Sequence, residues 1–138
     1  MNKMFIYVVT VAVIIAIGGV CMALAKEDRS NIEFLTSYDW EVLDECVEKE
    51  KVKIPEVFDE VYNNYNELQK EAGLDLTNYK GKNAIRYTYI VTNFPEKSED
   101  EEIRANVLCV DNKQVAGDIM TVKFDGFMYS LNYLKTGR

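Results

Sequence analysis

Between Lys3 and Lys26 the chain carries no charge, and the uncharged run from Met4 to Ala25 is 22 residues long. As a helix rising about 1.5 Å per residue, such a run covers the roughly 30 Å hydrocarbon core of a bilayer. It offers water no polar face, which speaks against a buried helix of a soluble protein. Two readings of the segment stay open. Lys3 and the terminal amine precede it, while Lys26 and Arg29 are offset by Glu27 and Asp28, so a retained single-pass anchor would put the rest of the chain outside the cytoplasm. Alternatively, the helix-breaking Gly18-Gly19 and the small-x-small triplet Ala23-Leu24-Ala25 form a signal-peptide cleavage signature, with release after Ala25. Cys21 follows Gly18-Gly19-Val20, which does not suit lipid attachment. The chain therefore divides into residues 1–25, a transmembrane anchor or signal peptide, and residues 26–138, an extracytoplasmic domain.

That body holds 15 basic against 23 acidic residues, a net −8. Its basic residues alternate with acids, as in Glu48-Lys49-Glu50-Lys51, whereas a nucleic-acid surface needs clustered Lys and Arg. Nucleic acid is not an expected partner, and on composition anionic lipid headgroups would repel most of this surface. The absence of histidine removes the His-based triads, the usual zinc sets and the ordinary general base near neutral pH. Cys46 and Cys109 show no CxxC spacing, and a disulfide between them needs their Cα atoms within about 7 Å. No calcium-loop pattern occurs, and Glu99-Asp100-Glu101-Glu102 is too contiguous to wrap one ion. No cofactor or metal is expected.

Periodicity predicts an α+β fold. Ser30-Asn31-Ile32-Glu33 reads as a capping box opening a short helix over residues 31–37. Trp40 to Leu43 and Val52 to Ile54 read as strand pieces, with the charged stretch Asp44 to Lys51 as a solvated edge or loop. Val57, Phe58, Val61, Tyr62, Tyr65, Leu68 and Ala72 recur at helical spacing, with Pro55 in the first turn and Gly73 as C-terminal cap. Asn63, Asn64 and Asn66 weaken that helix, so packing of its apolar stripe must hold it. Ile85, Tyr87, Tyr89 and Val91 alternate with Arg86, Thr88, Ile90 and Thr92 as in a strand. Ile103 to Val110 forms the next strand, Asp111-Asn112-Lys113 a turn, and Val115 to Phe124 the returning strand, bulged at Gly117. Phe127, Leu131 and Tyr133 fold back on the core. The expected architecture is an antiparallel sheet, a three-strand meander plus an earlier strand, packed against one long helix.

Tyr38-Asp39-Trp40-Glu41-Val42, Ile54-Pro55-Glu56-Val57-Phe58-Asp59-Glu60-Val61-Tyr62-Asn63, Leu68-Gln69-Lys70, Arg86-Tyr87-Thr88-Tyr89, Arg104-Ala105-Asn106-Val107-Leu108 and Asp125-Gly126-Phe127-Met128 together resemble an uncharacterised bacterial family, domain of unknown function number 4830. The resemblance covers nearly the whole body and implies a Firmicutes origin, an N-terminal membrane segment and a cell-envelope setting. It supplies no activity. The chain departs from it in having Asp39 where a glycine usually precedes the tryptophan, and a single Gly117 before Asp118 where a pair is common.

Asp75, Asp111, Asp118 and Asp125 are the acids from which an acid/base pair might be built, although turns also favour aspartate for its local hydrogen bonds. Arg86 and Arg104 lie inside strands, with Asn106 on the face of Arg104. Paired strands would let the two guanidiniums present donors to a carboxylate or phosphate, or bind nearby acids instead. These three residues are the candidate ligand- or partner-binding set. The expected function is a non-enzymatic accessory or binding module, tethered through residues 4–25 and engaging an envelope protein or ligand. A small carboxylate-dependent hydrolase or transferase is the first alternative, and an inhibitor or sensor domain docking an envelope protein the second.

Overall fold

The computed structural model describes residues 26–123 and 125–136. The apolar segment Met4–Ala25 lies outside the described residues, and no helix among them is long and apolar enough to cross a membrane. The described elements are α1 (residues 26–36), β1 (Glu48–Lys53), α2 (Glu60–Glu71), a 3-10 turn (Leu76–Tyr79), β2 (Asn83–Ile90), β3 (Ile103–Val110), β4 (Lys113–Thr121), β5 (Met128–Tyr129) and the one-turn α3 (Tyr133–Thr136). All five strands are antiparallel and lie in chain order, β1-β2-β3-β4-β5. The α+β class and antiparallel sheet are those expected from periodicity; beyond the expected short helix, long helix and four strands, the described residues add the two-residue β5 and the one-turn α3.

Alternation along the strands sends Tyr87, Tyr89, Ala105, Val107 and Ile119 to one face. There they form a core with Leu35 of α1, Trp40 and Leu131. Trp40 is fully buried, and its Nε1 donates to the Leu131 carbonyl at 2.7 Å. The C-terminal segment does fold back, with Phe127 and Tyr133 packed on this core. Gly117 lies under Leu131, where an added Cβ would stand 2.7 Å from Leu131 Cδ1 and 2.8 Å from the Asn106 carbonyl oxygen. The other face carries a smaller core of Ile54, Leu76, Ala84, Leu108, Val110, Val115 and Ala116, against which Phe58, Tyr62 and Tyr65 pack.

Several local expectations are corrected. The first helix is already running at residue 26, so Ser30 is not its N-cap; the Ser30 hydroxyl instead accepts from Gln114 Nε2 at 2.9 Å. Buried Asp28 and Asn31 both hydrogen-bond the Tyr89 hydroxyl, which anchors this helix to the sheet. The charged stretch Asp44 to Lys51, expected as a solvated edge or loop, is both, with residues 44–47 in loop and residues 48–51 in exposed edge strand. β1 is an edge strand, and charged side chains blunt an edge against further pairing. Trp40 to Leu43 contributes only an isolated bridge, Val42 to Val91.

The long helix begins later than expected and is turned. Asp59, not a residue near Pro55, caps it, accepting from the Tyr62 N–H at 2.8 Å. Val57 and Val61 are 81% and 75% exposed, while Asn66 and Gln69 are buried. Asn66 holds the 3-10 turn, accepting from the Leu76 N–H at 2.7 Å and donating to Asp75 at 3.0 Å. Gln69 Oε1 accepts from the Gly117 N–H at 2.9 Å, beyond the reach of the short β5. These polar contacts outweigh the burial that two valines would gain. Gly73, with φ of +78°, closes the helix as expected, since Leu74 and Gly73 donate back to Gln69 and Lys70. The bulge lies at Val115 rather than Gly117, because Leu108 pairs with Ala116 while Cys109 pairs with Gln114. The Asp111-Asn112 turn has both residues at positive φ, as a two-residue hairpin requires.

Candidate functional site

The face opposite α1 is only partly covered by α2, which leaves a groove of about 820 Å³ between helix and sheet. One wall is α2, through Val61, Tyr62, Tyr65 and Leu68, and the floor includes Arg86, Asn106, Leu108, Asp118 and Met120, with Met128 at the far side. Strand alternation builds this floor. Glu48, Thr88, Asn106 and Asp118 stand opposite one another in a single row across four strands. One row to one side runs Glu50, Arg86, Leu108 and Ala116, and to the other Ile90, Arg104, Met120 and Met128. The three residues singled out from the sequence therefore share one face, with the arginines on either side of the Asn106 row.

The row is a continuous hydrogen-bond network. Thr88 Oγ1 donates to Asn106 Oδ1 at 2.7 Å, and Asn106 Nδ2 donates to Asp118 Oδ1 at 2.9 Å. The Tyr65 hydroxyl reaches down from α2 and donates to Asp118 Oδ2 at 3.0 Å. Burial pushes the Asp118 carboxyl up from 3.8 to about 6, partly offset by the bonds from Asn106 and Tyr65 and by the Arg86 charge. Burial and the neighbouring Asp118 hold the Tyr65 phenol well above its ordinary value.

Both arginines have acidic partners. Arg86 Nη2 pairs with Glu50, and Arg104 bonds Glu102 through Nε at 2.9 Å and Glu48 through Nη1 at 3.3 Å. Arg86 Nε differs, being buried with no hydrogen-bond partner among the described residues. An unmatched buried donor costs about 1–3 kcal/mol, which an acceptor entering the groove would recover on shifting the side chains that cover Arg86 Nε.

The remaining acids are dispersed. Asp75 caps the 3-10 turn, and its bonds to Thr77 and Asn66 hold its carboxyl down at about 2. Asp111 sits in the β3–β4 turn, and Asp125 is exposed near β5. Asp118 is thus the only carboxylate among the groove's lining residues. Among the described residues, no group of three or more His, Cys, Asp or Glu side chains is placed to hold a metal ion. Cys46 and Cys109 are free thiols, both raised above the ordinary thiol value chiefly by burial.

The sequence reading missed Thr88, Tyr65 and the central place of Asp118. Two signals pointed to them: Thr88 shares the alternation register of Arg86, and an aspartate inside a strand is unusual enough to imply a buried partner.

Residues 34–119 match the family described as Domain of unknown function (DUF4830). The chain belongs to this family. The family region contains α2, both arginines and the whole Thr88–Asn106–Asp118 row, while Met120 and Met128 fall beyond it. Asp39, where the family resemblance has glycine, adopts φ of +71°, a conformation that glycine enters without steric cost. No curated protein and no solved structure matches the chain.

Proposed function

We propose that this protein is a non-enzymatic binding module of the cell envelope, tethered through residues 4–25 with its body outside the cytoplasm, and that the groove beside α2 is its ligand site. The observation that carries the reading is the buried Arg86 Nε, without a partner among the described residues, in a groove lined mainly by apolar and aromatic side chains beside the Asn106–Asp118 pair. Such a site suits a partner segment or small ligand that places a carboxylate or carbonyl oxygen against Arg86 and an apolar group against Tyr62, Leu68 and Met128. The uncharged length of Met4–Ala25 supports the tether, and Lys3 before it supports the outward orientation.

One observation favours the competing enzymatic reading. Asp118, titrating near 6, has the proton affinity of a general acid or base. Both of its oxygens are already engaged by Asn106 and Tyr65, and among the described residues no second carboxylate lines the groove, which favours a structural and recognition role.

Location and binding are tested separately. Protease added to intact, wall-stripped cells digests residues 26–138 if the body faces outward, and full protection refutes that topology. The mass of the native N-terminus distinguishes an anchor from release at Lys26. For the groove, Arg86→Gln and Arg104→Gln are introduced into the full chain, with thermal stability and in-cell crosslinking measured on each. Lost capture with preserved stability supports recognition. Lost stability, or unchanged capture, returns the arginines to the scaffold.

A further inference from the structure

The fold separates charges that the sequence interleaves. At one end of the sheet stand the last residues of β1, the first of β2 and the β3–β4 turn, which bring exposed Lys51, Lys53, Lys82 and Lys113 together. None of the four is in an ion pair among the described residues. Acids at this end include Asp111 in the turn, which also lines the groove described next, Glu50 directly before Lys51, and Glu56 beside Gly81. The β2–β3 connection at the opposite end carries Glu96, Glu99, Asp100, Glu101 and Glu102 against Lys97 alone.

The lysine end is also where the chain enters the body. A groove of about 740 Å³ there has Lys51 and Lys53 on its rim and Ile85, Tyr87 and Cys109 among its lining. An adjoining hollow of about 380 Å³ shares Tyr87, Cys109 and Asn112 with it and is lined by Lys26 and Glu27 at the start of α1. Lys26 directly follows Ala25, the last residue of the uncharged run. Asp28 is already buried in the body, hydrogen-bonded to Tyr89 at 2.7 Å. Three residues of helix rise about 4.5 Å, which leaves no slack to hold the body away from the surface that a membrane-inserted segment leaves.

We propose that this lysine-rimmed groove rests on the bilayer and binds the headgroups of anionic phospholipids, with the acidic end pointing away. The orientation rests on the tether reading above. Ammonium groups on the rim meet the lipid phosphates, while half-buried Ile85 accepts the glycerol and first methylenes. Each lysine at an anionic bilayer surface gains roughly fivefold in partition, so Lys51 and Lys53 in the groove, with Lys82 and Lys113 beside it, oppose the repulsion expected from net charge. The domain is thereby held in one orientation, with its long axis of charge along the membrane normal.

The test uses the full chain in nanodiscs of phosphatidylcholine, or of phosphatidylcholine with about a third phosphatidylglycerol. Lysine acylation is read residue by residue by mass spectrometry, with Lys97 as the reference. The expected result is a several-fold loss of labelling at Lys51, Lys53 and Lys82 in the anionic discs relative to the neutral ones. At Lys82, which the variant keeps, that protection should disappear in Lys51→Glu/Lys53→Glu, and at all three wild-type lysines it should weaken in 0.5 M salt, where screening lengths fall to a few ångström. Equal labelling in both lipids, with the chain incorporated in both, overturns the headgroup site and leaves the tether standing. Failure to incorporate into neutral discs overturns the tether; lysine-dependent capture by anionic discs alone then still supports the headgroup site, and capture by neither overturns both.

Discussion

Asp118→Asn should make the protein more stable at neutral pH, against the usual expectation for removing a buried, hydrogen-bonded aspartate. The carboxyl is 2% exposed, and burial moves its pKa from 3.8 to about 6. Because the folded value lies above the unfolded one, the folded chain binds the proton more tightly. Its contribution favours folding fully below about pH 4, weakens as pH rises, and is gone once pH passes about 6. A shift of roughly two units at 1.36 kcal/mol per unit corresponds to about 3 kcal/mol lost between those limits. Asparagine has no charge to desolvate and keeps one oxygen for Asn106 or Tyr65. The assay is urea unfolding from pH 4 to 7.5 in a mild non-ionic detergent, followed by the fluorescence of Trp40, the chain's single and fully buried tryptophan. The wild-type midpoint should fall by on the order of 1–2 M urea across that range relative to the variant, given ordinary denaturant slopes. Exposed Asp75, with its pKa held at about 2, titrates below this window and does not obscure it. Parallel pH profiles for the two proteins, or a wild-type advantage that grows between pH 4 and 6, would refute the reasoning.

Further predictions concern the surroundings of that network. Arg86→Gln removes a positive charge that stabilises ionised Asp118, so in the variant the fall in stability should extend to higher pH than in the wild type, and a higher Asp118 pKa should appear by carboxyl 13C titration. Gly117→Ala forces a Cβ against Leu131 and the Asn106 carbonyl, and should cost about 1–3 kcal/mol in thermal denaturation. Trp40→Ala should cost about 3–5 kcal/mol by calorimetry, whereas Phe58→Ala, at a half-buried ring against Tyr62, should cost clearly less.

The parts of the fold set by local rules were readable without the structure. Period-two alternation placed β2 and β3, the Asp111-Asn112 pair placed the hairpin turn, and Gly73 placed the end of α2. What escaped was set by tertiary polar contacts. Asn66 and Gln69 are poor helix-face residues by hydrophobicity, yet they are buried because each satisfies a backbone group outside its own helix, Leu76 N–H and Gly117 N–H. Their burial turns α2 and exposes Val61, while Val57 lies exposed ahead of the helix start. β1 was read only at its Val52 end, because an edge strand can be almost wholly charged, and its pairing is decided by β2 rather than by its own pattern. The candidate site was half legible. Alternation put Arg86, Arg104 and Asn106 on one face, but the cross-strand register that aligns Thr88, Asn106 and Asp118, and the reach of Tyr65 from α2, depend on pairings that are not local in sequence.

The claim that the groove beside α2 is where this module meets its ligand is tested most directly by site-specific photocrosslinking in intact cells. A photoreactive residue replaces Leu68 in the groove wall or, as control, Lys97 in the acidic connection, in wild-type and Arg86→Gln backgrounds. The account predicts a discrete adduct from position 68 that disappears with Arg86→Gln, and none from position 97. No adduct at position 68, or the same adduct from both positions irrespective of Arg86, would contradict it.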